Sequence, residues 1–168
     1  VDVHADVGMH AITASRIKRS TTNPILVLTA TGSGADDMAA AIGDFAPDVN
    51  VATFPSWETL PHERLSPSFD TVGRRTHLLR RIAHADPHDP LLLPVDVVVA
   101  SVRAVVQPIS SSVVETAPVR VRAGDRVDLT ACVEALVGLG YERVDLVERR
   151  GQVAVRGGIV DVFPPSEE

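Results

Sequence analysis

The residue types and spacing that come nearest to chemistry are in Thr29-Ala30-Thr31-Gly32-Ser33-Gly34-Ala35-Asp36. The segment follows the aliphatic run Ile25–Leu28 and precedes Met38, Ala41, Ile42 and Phe45, which recur at helical spacing. A turn between strand and helix is where the pattern G-x-x-x-x-G-K-[ST] cradles phosphate. On that template Thr29 replaces the first glycine, Ala35 the lysine, and Asp36 the hydroxyl that would hold magnesium. Nothing then neutralises the outer phosphates. Asp36 and Asp37 are expected to place two carboxylates at the helix N-terminus, where they complement the helix dipole and repel an anion. Gly32, Gly34, Ala35 and Asp36 thus form a degenerate phosphate loop, and no cofactor is expected for this segment.

Other candidates are weaker. His84 and His88 are four apart, but Pro87 breaks the helical geometry a metal pair would need. His62 and Glu63 have no second spaced ligand, so no metal site is expected. The serines lack a G-x-S-x-G context, and no catalytic residue is assigned. Arg74, Arg75, Arg80 and Arg81 share a helix that could meet DNA phosphates, although a solvated face explains them more simply. Trp57 stands in a proline-bounded loop, packing it onto a sheet or docking to another domain. In Gln152–Arg156, alternation sets Val153 and Val155 on one face and Gln152, Ala154 and Arg156 on the other. With Arg149 and Arg150 in the preceding turn, this reads equally as a basic docking patch or as edge-strand protection by charge.

The elements that must position these residues follow from the pattern of the whole chain. It has 168 residues, 45% hydrophobic and 23% charged, enough for a buried core and too apolar for disorder. The net charge of −6 lowers the expectation of a free-standing nucleic-acid binder. Cys132 is the only cysteine, which excludes an intramolecular disulfide and predicts a reducing, cytoplasmic compartment. No apolar run approaches the ~20 residues of a membrane span, so no membrane partner is expected. The first residues, Val1-Asp2-Val3-His4, carry neither the basic nor the apolar stretch of a signal peptide. Val1 in place of an initiator Met predicts a chain processed or cut from something longer.

A weak helix is predicted over 9–19 with Met9, Ile12 and Ile17 on one side. Strands are predicted at 25–28, 49–54 and 95–100, the first and third as buried strands. Phe69, Val72, Leu79, Ile82 and Ala83 form the stripe of a longer helix, and Val102, Val105 and Val106 that of a short one. Such alternation predicts a parallel α/β lobe over 1–115. Over 116–168 the style changes to a small, mainly antiparallel α+β domain. Val119 and Val121 alternate as a half-exposed strand. Asp128 caps a helix of Leu129, Cys132, Val133, Leu136 and Val137 that ends at Gly140. Strand-like runs follow at 144–147, 153–156 and 159–163.

Several of these segments resemble a known family. Pro55-Ser56-Trp57-Glu58-Thr59-Leu60-Pro61 with Leu65-Ser66-Pro67, Val97–Val102 and Arg149–Pro164 resemble the N-terminal region of bacterial transcription-repair coupling factors (Mfd), over about residues 20–168. The last two segments are also similar to UvrB, the helicase-like excision-repair subunit. UvrB keeps a working phosphate loop where this chain has Ala35-Asp36, and a long damage-probing hairpin where it has the Trp57 loop. Both differences favour the coupling factor.

The resemblance implies a degenerate helicase-type lobe followed by a β-rich domain that binds UvrA. It implies that ATP and magnesium belong to motor domains downstream, which drive DNA translocation at stalled RNA polymerase. This segment itself is then no enzyme, and RNA polymerase and DNA are met through other domains. Arg156 matches a UvrA-contact position of the family, and Arg149 and Arg150 are added by proximity. Further contacts are expected beyond Phe163-Pro164, so the small domain is expected to be truncated at Glu168. A C-terminal domain of the parent protein is implied as an intramolecular mask of this surface. The alternative reading is a DNA-binding fragment of a UvrB-type subunit.

Overall fold

The computed structural model describes residues 6–59, 66–110 and 112–165. His62, Glu63, part of the proline-bounded loop, part of the Ser110–Ser112 break and the first four residues lie outside the described residues. The chain builds two sheets in sequence order. The first consists of β1 (Ile25–Thr29), β2 (Val51–Phe54) and β3 (Val97–Ser101), all parallel, in the order β1-β3-β2. β3 is central and buried along its whole length, which accounts for its unbroken run of small and β-branched residues.

Helices cover both faces. α1 (His10–Arg19) and α2 (Gly32–Phe45) bury Ala11, Ala14, Ala35 and Ile42 against Val97 and Val99. α3 (Phe69–Ala83) and the five-residue α4 (Val102–Val106) bury Leu78 and Ala104 against Phe54, Val98 and Ala100. This is the α/β lobe that the alternating pattern predicts.

The faces these elements present differ from their apolar stripes. β1 is an edge strand, with Leu26 and Leu28 53% and 51% exposed, because no helix of the described residues lies over that end of the second face. α1 buries Ala11, Ala14 and Ser15, leaving Met9 and Ile17 largely exposed, since small residues let it approach α2 closely. In α4 only Ala104 is buried, and the three valines face outward. α3 is rotated away from its predicted stripe: Thr71, Gly73, Arg75 and Leu78 are buried while Phe69 and Ile82 are not. Polar anchors described below set that rotation.

The second lobe packs α6 (Leu129–Gly138) on a sheet of β4 (Glu142–Arg143), β5 (Gln152–Arg156) and β6 (Ile159–Phe163). Its core is Val133, Leu136 and Val153, with Val119, Cys132, Tyr141, Val155, Val160 and Val162 partly buried around them. The Asp128 side chain accepts from the amides of Thr130 and Ala131. At the other end Gly140 (φ +95°) and Tyr141 donate to the carbonyls of Val137 and Leu136, a Schellman closure that favours glycine.

As expected, the sheet is mainly antiparallel, through β5–β6, while the two-residue β4 runs parallel to β5. Two strand expectations fail. β4 is Glu142–Arg143 and not the valine run 144–147: Val144 still donates to the Val153 carbonyl, but the chain then leaves β5, and the Gln152 side chain accepts from the amides of Glu148 and Arg149. Nor is there a strand at Val119–Val121; Asp125 turns the chain back on Arg122. The short helix α5 (Ser112–Glu115) lies against α3, whereas Val119 already belongs to the second core.

Candidate docking surface

The degenerate loop is short. Only Ala30 and Thr31 separate β1 from α2, so Gly32, Gly34, Ala35 and Asp36 all lie inside the helix and no arch of amides forms. The Thr31 hydroxyl accepts from the Gly34 amide at 3.1 Å, occupying a donor that would otherwise face a phosphate. A Cβ at Gly34 would come within 3.1 Å of that hydroxyl. Ala35 is buried in the core. The first turn of the helix carries no acid; Asp36 and Asp37 follow it, exposed, rather than standing at its N-terminus.

Arg149, Arg150 and Arg156 do not form one cluster. Arg149 and Arg150 lie in the turn before β5 and Arg156 ends the strand, whose five residues span roughly 13 Å at ~3.3 Å per residue. Arg149 pairs with Glu142 at 3.0 Å. Glu142 is held below the usual carboxylate range by hydrogen bonds from Gln152 and then Arg149. Arg150 turns inward: it lies 3.8 Å from Asp70 of α3, reaches the carbonyls of Pro164 and Pro165, and stands over the Phe163 ring. It ties the two lobes together.

Arg156 is different. Its side chain is 59% exposed at the tip of the β5–β6 hairpin, where Nη2 donates to Asp161 Oδ2 at 2.6 Å. Its direct cross-strand partner is Ile159, 64% exposed. A cation oriented by a neighbouring carboxylate beside a bare aliphatic side chain has the composition of a contact point. The exposed ion pair contributes at most ~1 kcal/mol, so a partner's acceptor can share or replace Asp161 at little cost. Ile159 and Asp161 alternate onto the Arg156 face within 159–163, but that alternation alone does not mark them as contact residues. The other face of β5 is covered too, with Gln152 and Ala154 buried, so Arg156 is the residue of this strand left in solvent.

The arginines of α3 form no solvated stripe. Arg74 donates to the Thr53 hydroxyl, Arg80 to the carbonyls of Val114 and Thr116, and Arg81 to Leu93 O and Asn50 Oδ1. Arg75 is 1% exposed. Each guanidinium fastens a piece of the α/β lobe, which leaves little for a phosphate backbone. The partly buried Trp57 is fixed by Gln107, whose Oε1 accepts from the Trp57 amide at 2.7 Å. Glu58 accepts from the hydroxyls of Ser68 and Thr71. Among the described residues no three His, Cys, Asp or Glu side chains gather to hold a metal, and no helix is long and apolar enough to cross a membrane.

Comparison with known proteins adds to this geometry. The family described as UvrB interaction domain matches residues 119–168, which contain the whole β4–β6 sheet. The chain is 48% identical over 164 residues, 98% of its length, to the transcription-repair-coupling factors of Mycobacterium bovis and Mycobacterium tuberculosis. It is 27% identical over 161 residues, 93% of its length, to UvrABC system protein B of Lactococcus lactis. It spans 13% of the length of the mycobacterial relatives and 23% of the lactococcal one.

Proposed function

Because the chain belongs to the transcription-repair-coupling factor family, as its N-terminal, UvrB-like region, we propose that it is a non-catalytic recruitment module of nucleotide excision repair that captures UvrA through the β5–β6 hairpin tip. The observation that carries this reading is Arg156, exposed, oriented by Asp161 and paired across the strands with exposed Ile159. Arginine presents a planar fork to an acidic partner, and an adjacent aliphatic group supplies the apolar contact that a contact centre needs. Arg149, 68% exposed in its pair with Glu142, stays available as a second contact toward the other end of β5, whereas Arg150 is tied to Asp70 between the lobes.

In this reading ATP, DNA translocation and RNA polymerase belong to other parts of the parent protein. The α/β lobe supports the reading by what its turn lacks: lysine, an amide arch and a free Gly34 donor. The parent's C-terminal domain covers the hairpin tip at rest, and the setting is the cytoplasm, in keeping with a lone cysteine.

The test is capture of purified UvrA by the chain and its Arg156→Glu variant. A charge-assisted contact in a packed interface contributes ~2 kcal/mol, so affinity should fall by about 30-fold. The thermal midpoint should barely move, because the lost pair is exposed. Undiminished capture of UvrA by the variant overturns the proposal.

A further inference from the structure

Arg75 is among the largest fully buried side chains, and among the described residues no carboxylate pairs with its charge. Its guanidinium lies between two rings, 4.1 Å from the centroid of Phe54 and 4.2 Å from that of Trp57. Nη1 donates to the Pro55 carbonyl at 2.6 Å. Nε and Nη2 are shut away from solvent and have no hydrogen-bond partner among the described residues. Those two atoms make up the parallel-donor edge of a guanidinium, the edge that takes a carboxylate or phosphate bidentately.

A buried ionised donor without an acceptor is costly, and native structures rarely keep one without a use. Stacking between two aromatic faces offsets part of that cost. The location is also that of a ligand site: Phe54 ends β2, and Pro55–Trp57 form the loop at the C-terminal edge of a parallel sheet. One of the two rings, Trp57, stands on that loop rather than in a strand or helix, and Gln107 supplies the loop's hydrogen bonds there.

We propose that Arg75 is the floor of a latent oxyanion site roofed by Trp57, which a carboxylate or phosphate group enters by lifting the indole. The oxyanion supplies the acceptors that Nε and Nη2 lack, and the lifted Trp57 gives up its stack. The site lies in the α/β lobe and is separate from Arg156, so it stands or falls independently of UvrA capture.

Trp57 is the only tryptophan, and its emission reports directly on the roof. Sodium acetate and sodium phosphate are each titrated against sodium chloride at constant ionic strength. A saturable red shift is expected in the wild type and none in Arg75→Met. Response to acetate alone identifies a carboxylate site, and response to phosphate alone a phosphate site. Trp57→Ala removes the roof, so half-saturation, read from the oxyanion-dependent rise in thermal midpoint, should fall about fivefold. That variant keeps the test decisive where Arg75→Met does not fold. A wild type that responds to neither oxyanion, an equal response in Arg75→Met, or no oxyanion-dependent rise in Trp57→Ala overturns the proposal.

Discussion

Glu58 shows how much one polar side chain can organise. It accepts from Ser68 Oγ and Thr71 Oγ1, and Ser68 itself caps α3 by accepting from the Thr71 amide at 3.2 Å. Burial alone would raise its carboxyl, but the hydrogen bonds from Ser68 and Thr71 outweigh burial and hold it below its ordinary value of 4.5. A carboxyl depressed by folding adds stability that is present above the unfolded value and lost as pH falls through the folded one. Glu58→Gln should therefore lower stability most at neutral pH, where the wild-type contribution is fully present, and converge on the wild type as pH falls below about 4.5, which flattens the acid limb of the curve. Urea unfolding at a series of pH values checks this. None of it was legible in the sequence, where Glu58 is one letter of a loop; its partners stand ten and thirteen residues away.

At the scale of elements, ends were more legible than faces. Asp128 and Gly140 mark the two ends of α6 in the sequence, and both act as read, because caps are closed by residues two to five positions away. Asp128→Ala should cost about 1 kcal/mol, read as a lower midpoint in chemical unfolding, with Asp128→Ser recovering most of it. The buried face of α3 was not legible. Its apolar stripe runs through Phe69, Val72 and Leu79, yet Thr71 and Arg75 are turned inward by Glu58, Phe54, Pro55 and Trp57. β1 fails in the same way: an aliphatic run reads as buried, but burial needs a helix over each face, and among the described residues one face at that end has none.

For the molecule as a whole, the decisive contacts lie between the lobes. Gly151 (φ +81°) sits under the Phe69 ring, where a Cβ would come within 2.5 Å. Gly73 sits under the backbone of Pro165 at the same distance. Around them Arg150 reaches Asp70, and Arg120 pairs with Asp89 at 2.7 Å, which helps hold the Asp89 carboxyl low. Gly151→Ala should destabilise the protein by ~2 kcal/mol or more, from left-handed strain and overpacking together. Adding Phe69→Ala should recover only the packing part, since the backbone conformation stays unfavourable for a side chain. Comparing the single and double variants in denaturant separates the two terms, and full recovery would show that the positive φ costs nothing.

What the sequence by itself determined was local or compositional: the alternation of strands and helices through α4, the caps of α6, the missing lysine after Gly34, and the motifs that mark the family. Tertiary structure alone decided which arginine does what. Arg156 and Arg149 remained at the surface toward opposite ends of β5, Arg150 was tied to α3, and Arg75 was sealed beneath Trp57. Periodicity says which side chains share a face. Which neighbour arrives at that face is settled by chain folded in from dozens of residues away, and a guanidinium takes its role from that neighbour.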